Sequence, residues 1–216
     1  MFEYGGIKFH LLGHDGFRLK NSITLYIDPF QISIGEKANI ILITHEHFDH
    51  LSPEDIKKIS TLDTIIIAPK IAESSLKGHK VKQIITISSG EKKNILGVSV
   101  EAIPAYNINK FRTPGKVYHP KEEGRIGYII TMNGVKIYHA GDTDHIPEMK
   151  NIKVDIALLP VSGTYVMTAE EAAKASADIK PKIAIPMHYG TIVGEVNDAQ
   201  KFQKLATCKV AILEKE

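Results

Sequence analysis

The sequence predicts an α/β layered domain, and three observations carry that expectation. The chain opens with alternating segments that read as antiparallel strands, at residues 7–12, 17–19 and 23–27. A strand, short helix and strand follow over 64–87, and a hairpin signal stands at Asn133-Gly134. Elements that alternate in this way cover a sheet with helices.

Taken in order, residues 7–12 alternate as a half-buried strand does, Gly13-His14-Asp15-Gly16 turns the chain, and 17–19 with 23–27 form a hairpin around Lys20-Asn21. Asp28-Pro29-Phe30 ends that strand, because proline cannot continue a ladder and biases the residue before it to extended geometry. The apolar run Ile40-Ile41-Leu42-Ile43 is a buried strand. Ser52 is placed as an N-cap, with Pro53 at the first helical position and Asp55 three beyond the cap, so a short helix runs to about residue 59. Residues 64–68, a short helix over 71–76 closed by Gly78, and 83–87 make a β-α-β unit, and 98–104 add a strand. His79 sits in a surface turn and is given no role.

Residues 105–127 are the least regular stretch, and a long loop in a compact domain is functional or disordered. Residues 128–132 and 135–139 flank Asn-Gly, which supplies the positive φ angles of a two-residue hairpin turn. Residues 156–160 are a buried strand, and Thr168 with Glu171 forms a capping box that opens an alanine-rich helix ending before Pro181. A strand over 182–186, a last helix capped by Asn197 with Gln200 and running to about Ala206, and a strand over 209–213 complete the chain.

With 216 residues and no Pro/Gly/Ser-rich linker, a single domain over 1–216 is expected. The balance of 27 basic against 25 acidic residues, net +2, argues against a dedicated nucleic-acid binder while admitting a small anionic substrate. Cys208 is the single cysteine, so no intrachain disulfide can form. The opening residues lack a basic segment followed by an apolar core, and no apolar run approaches the roughly 20 residues that span a bilayer. A cytoplasmic protein without a membrane partner is expected. Exposed sheet edges or the apolar face of the alanine-rich helix would allow a homo-oligomer.

Chemistry is expected in Thr44-His45-Glu46-His47-Phe48-Asp49-His50-Leu51, directly after the apolar run at 40–43. Four potential metal ligands fall within six residues where a buried strand must end, a place that fixes side chains well. His45 and His47, two apart, can lean to one side of an extended segment, while Asp49 and His50 lie beyond the turn and can face a second ion. Imidazole and carboxylate suit zinc, manganese, iron or nickel.

This stretch resembles the His-x-His-x-Asp-His signature of the metallo-β-lactamase superfamily. Nearly the whole chain is similar to the branch of metal-dependent hydrolases that includes L-ascorbate-6-phosphate lactonase. The resemblance implies a four-layer αββα sandwich, and both halves of the chain do follow a plan of strands then helix. It also implies two divalent ions, zinc first, with manganese, iron or nickel as alternatives. His45, His47 and His119 would hold the first ion, Asp49, His50 and His188 the second, and Asp142 would bridge them. Many relatives place the third histidine sooner after the strand, where this chain has Asn107, so Asn107 or water is the alternative to His119. Asp28 resembles a carboxylate that orients the metal loop without ligating. His139 and His145 flank Asp142 as supporting or packing residues, and a calcium-type loop at Asp142 and Asp144 lacks the alternating oxygen series.

Three ligands and a shared carboxylate leave an open position, the mark of a catalytic site. Two such ions would activate a hydroxide between them and polarise a carbonyl or phosphoryl oxygen. Asp49 and Asp142 would thus serve catalysis directly, with Tyr189 or His14 giving a proton or hydrogen bond to the leaving group. Arg112, Lys116 and Arg125 offer positive charge to an anionic substrate, and Tyr165, with Met167, could line its pocket. The reaction expected is hydrolysis of a phosphodiester or a lactone. Its rivals are a di-iron redox protein and a non-catalytic metal-binding module on the same fold.

Overall fold

Two seven-stranded sheets face each other across the main apolar core of the computed structural model, which describes residues 1–33 and 35–216. The first sheet keeps chain order: β1 (Phe2–Tyr4), β2 (Ile7–Gly13), β3 (Gly16–Lys20), β4 (Thr24–Ile27), β5 (Ile40–Leu42), β6 (Ile65–Ala68) and β7 (Gln83–Thr86). Its first four strands are antiparallel and the rest parallel. Parallel neighbours need crossovers. Helix α1 (Pro53–Ile59) joins β5 to β6, and a 3₁₀ turn with α2 (Glu73–Leu76) joins β6 to β7.

The period of two along a strand builds the layers. Ile40, Leu42, Ile65 and Ile67 face the core between the sheets, while Ile41, Ile66 and Ala68 turn outward onto Ile56, Ile59 and Leu76 of the helices.

The second sheet starts with β8 (Lys92–Ile95) and β9 (Val98–Pro104), and the chain then leaves it for a small ribbon, β10 (Phe111–Thr113) and β11 (Lys116–Val117). It returns through β12 (Ile126–Met132), β13 (Val135–His139), β14 (Ile156–Pro160), β15 (Ile183–Met187) and β16 (Lys209–Val210), with α3 (Ala169–Ile179) before β15 and α4 (Val196–Leu205) after it. Met132 pairs with Val135 across Asn133-Gly134, both at positive φ. Helices α3 and α4 pack on each other and on β14 and β15, which gives the αββα sandwich its fourth layer. No helix among the described residues is long and apolar enough to cross a membrane.

The predicted Ser52 cap and Thr168 capping box are present. The last helix differs: Glu195, not Asn197, is its N-cap, because Asp198 accepts from the Glu195 amide at 2.8 Å and Asn197 lies inside the helix. Its closing strand spans only two residues. Asp28 also departs from the extended geometry expected before proline, with φ at 44°. Its carboxylate is held from two sides, as described next.

Candidate metal centre

The parallel strands β5, β13 and β15 release the chain on one rim, and the turn between β2 and β3 reaches the same place. Open sheets commonly bind ligands beyond such strand ends. After β5, the backbone N–H of Thr44 donates to Asp28 Oδ1 at 2.8 Å and its hydroxyl donates to Asp28 Oδ2 at 2.5 Å. His50 Nδ1 donates to the same Oδ2 at 2.8 Å. With the Thr44 hydroxyl proton used on Asp28, the oxygen accepts from His45 Nδ1 at 3.0 Å. Both imidazoles therefore keep Nε2 for the site, the arrangement in which supporting groups orient metal-binding histidines.

His45, His47 and His119 form one group whose donor atoms all lie within 4.8 Å of one another. His45 Nε2 and His47 Nδ1 are 3.1 Å apart, near the roughly 3.3 Å that two imidazole nitrogens keep on a tetrahedral ion. His119 stands in this group, whereas the Asn107 side chain is engaged elsewhere. The Asn107 carbonyl accepts from the His119 amide at 2.9 Å, and its NH₂ donates to Asp144 and to the Tyr165 carbonyl. Asn107 brackets the loop that presents His119.

A second group contains Asp15, His50, Asp142 and His188, and a third joins His14 to His50 and His188. Asp142 stands between the two sides: Oδ1 is 3.3 Å from His50 Nε2, and Oδ2 is 3.5 Å from His188 Nε2 and 3.7 Å from His119 Nε2. Ser162 holds His188 Nδ1 at 2.9 Å and leaves its Nε2 facing Asp142. Asp49 sits at the edge, its Oδ2 3.1 Å from His14 Nε2 and 3.9 Å from His50 Nε2. His14, expected as a donor to the leaving group, stands in this cluster, whereas Asp15 beside it was not legible, since its only sequence signal is a turn between glycines.

The residues fit cations. Among the described residues, buried side-chain atoms without a hydrogen-bond partner gather here: both nitrogens of His14, both oxygens of Asp15, His50 Nε2, His119 Nδ1, Asp142 Oδ1 and His188 Nε2. Polar atoms are rarely left so, and an ion would satisfy them. Burial holds His45 well below its ordinary range, lowers His47, and pushes His119 down to about 4, so these rings stay neutral, the form that ligates. Burial would raise Asp142, but the charges of His50 and His188 outweigh it and hold the carboxyl well below its ordinary range. In return, and against burial, Asp142 carries both His50 and His188 upward, with Asp28 adding to His50. Burial raises the Asp15 carboxyl well above its usual range.

The expected substrate residues divide. Arg112 and Lys116 are exposed on the β10–β11 ribbon, and Tyr165 packs edge-on against Tyr118, next to His119. Arg125 is not a free cation: it is buried, donates twice to Glu46, at 2.5 and 3.2 Å, and pairs with Glu123. That fork fastens β12 to the metal loop. Tyr189 is half-buried and packs against the main core, which raises its hydroxyl, and it joins none of the site's hydrogen bonds. His139 donates from Nε2 to the Asp15 carbonyl and accepts from Gly141, while His145 pairs with Asp178 on α3.

A model of the beta-lactamase superfamily domain matches residues 8–188. A UPF0173 metal-dependent hydrolase from Thermoplasma acidophilum is 35% identical over 207 residues, covering 90% of this chain and 88% of its own. Another, from Thermococcus onnurineus, is 30% identical over 226 residues, covering 96% and 95%. Among solved structures, a candidate metal-dependent hydrolase from Parabacteroides distasonis superposes with a TM-score of 0.84 at 35% identity, covering 97% of this chain and 94% of its own.

Proposed function

The chain belongs to the metallo-β-lactamase superfamily and is a metal-dependent hydrolase, and from that premise we propose that it uses two divalent ions, zinc first, to open an ester-type bond in a small anionic substrate. A lactone or a phosphodiester fits, the former in keeping with the resemblance to the ascorbate-6-phosphate lactonase branch. The observation that carries this reading is the position of Asp142, whose carboxylate has His119 of the first group at 3.7 Å and His50 and His188 of the second at 3.3 and 3.5 Å.

When bound, the ions would supply Lewis acidity to the substrate's oxygen and make a nucleophile available from water near neutral pH. His45, His47 and His119 would hold the first ion, and Asp49, His50 and His188 the second. Asp142 spaces the two groups, and Asp28, Thr44 and Ser162 fix the rings before substrate arrives, so little reorganisation is needed during reaction. Beside the His119 loop lies a hollow of about 570 Å³, lined by Tyr106, Asn107, Lys116 and Lys121 and also by the acidic Glu122 and Glu123. Lys116 there and Arg112 on the same ribbon suit an anionic group. Asp49, the most open carboxylate of the centre, would relay a proton toward a leaving oxygen.

The test is turnover of bis-p-nitrophenyl phosphate and of a lactone panel by metal-replete protein, beside Asp142→Ala. The expected result is hydrolysis of one class, lost in the variant. Stoichiometric metal with no turnover of either class would move the reading to redox or binding chemistry on this fold.

A further inference from the structure

We propose that His14 is a ligand of the second ion, so that the turn between β2 and β3 is a ligand-bearing segment of the metal centre. The inference rests on the two-ion reading above and adds one imidazole to Asp49, His50 and His188.

Four independent features of His14 converge. The residue is 1% exposed, yet Nδ1 has no hydrogen-bond partner and Nε2 has only its approach to Asp49, an expensive state for an imidazole in the interior. Its donor atom lies within 4.8 Å of those of both His50 and His188, and its ring centroid is 4.0 Å from that of His188. Its Nε2 is 3.1 Å from Asp49 Oδ2, a separation suited to two ligands of one ion. Its backbone is left-handed, with φ at 50°, where a residue with a Cβ is strained.

That strain is held by contacts to the loop that carries His188. The His14 carbonyl accepts from the His188 amide at 3.0 Å, and the His14 amide donates to the Thr191 hydroxyl at 3.3 Å. The clamp fixes the ring among the other donors. A strained backbone and a poorly partnered buried ring at one residue are reconciled when a cation sits at the end of that ring. The neighbouring Asp15, fully buried with both oxygens unpartnered and 3.9 Å from His50 Nδ1, belongs to the same donor group as His50 and His188.

The alternative is that His14 only hydrogen-bonds Asp49. His14→Gln separates the two, since its amide can still donate to Asp49 but provides no imidazole. Cobalt(II) would be titrated into wild type, His14→Gln and His14→Asn, with binding read from visible absorption and metal content. Unfolding of each metal-free variant would verify the fold. The expected outcome is two ions per wild-type chain. In both variants the first ion should bind as in wild type and the second about tenfold or more weakly. Unchanged affinity for both ions in His14→Gln, or in His14→Asn should the first variant not fold, would overturn the assignment. A wild type that binds fewer than two ions would instead overturn the two-ion reading, and this inference with it.

Discussion

Asp28 Oδ2 accepts a hydrogen bond from His50 Nδ1 at 2.8 Å, and this buried pair fixes the ring that faces Asp142. The same carboxylate also holds the Thr44 amide and hydroxyl, and through Thr44 it orients His45. One side chain thus supports a histidine of each group. Supporting groups of this kind are worth about 10–100-fold in metal affinity. Asp28→Ala should weaken both ions by that order, as measured by competition with a chelator, whereas Ser162→Ala, removing a hydroxyl that meets His188 alone among these histidines, should weaken one.

The two groups should also differ in the protons they release. His50 and His188 are raised above the ordinary imidazole range by Asp142, so ligation there must displace protons held more tightly than in a free imidazole. His45, His47 and His119 are lowered by burial and are already neutral there. Calorimetry at pH 7 in buffers of different ionisation enthalpy should show protons released on filling the second site and few on filling the first. For His119 the sign is that of a depressed base. Its neutral form favours the fold above the unfolded value near 6.5, and that contribution is lost as pH falls toward about 4, with first-site affinity falling as pH nears about 4.

Arg125 is engaged by Glu46 and Glu123. Its fork onto Glu46 ties β12 to the metal loop, and truncation would leave Glu46 half-buried without its partner. Arg125→Ala should cost about 1.5–3 kcal/mol of stability. The change should appear in the denaturation midpoint, with KM for an anionic substrate moved less than by Lys116→Ala.

Gly141 lets Asp142 reach the centre. It has a φ of 63°, and an added Cβ would stand 2.9 Å from the Ile126 carbonyl and 3.3 Å from the Thr44 Cβ. Gly141→Ala should cost about 1–3 kcal/mol through backbone strain alone. Because the strain is relieved by shifting Asp142 or Thr44, metal affinity should fall together with stability, read from the same chelator competition and unfolding curves.

Local chemistry made much of this molecule legible. Ser52-Pro53 and Thr168 with Glu171 announce their helices because caps are satisfied by neighbours in sequence, and Asn133-Gly134 announces its hairpin for the same reason. The His45–His50 cluster was readable from spacing once it followed a buried strand. Strands β1 and β8 were not, since each is a short edge segment whose pairing is decided by a neighbour. The fate of Arg125 depended on Glu46, 79 positions away, and that of His14 on His188, far along the chain. The hydrogen bonds of Asn107 to Asp144 and Tyr165 were likewise invisible in sequence. Contacts across the two sheets carry no signal in local sequence.

The central claim is that two ions share Asp142, and metal content is its most direct measure. Elemental analysis of metal-replete protein should find two ions per chain in wild type and fewer than two in Asp142→Ala, the variant remaining folded. No stoichiometric metal in the wild type, or two ions retained without Asp142, would contradict the account.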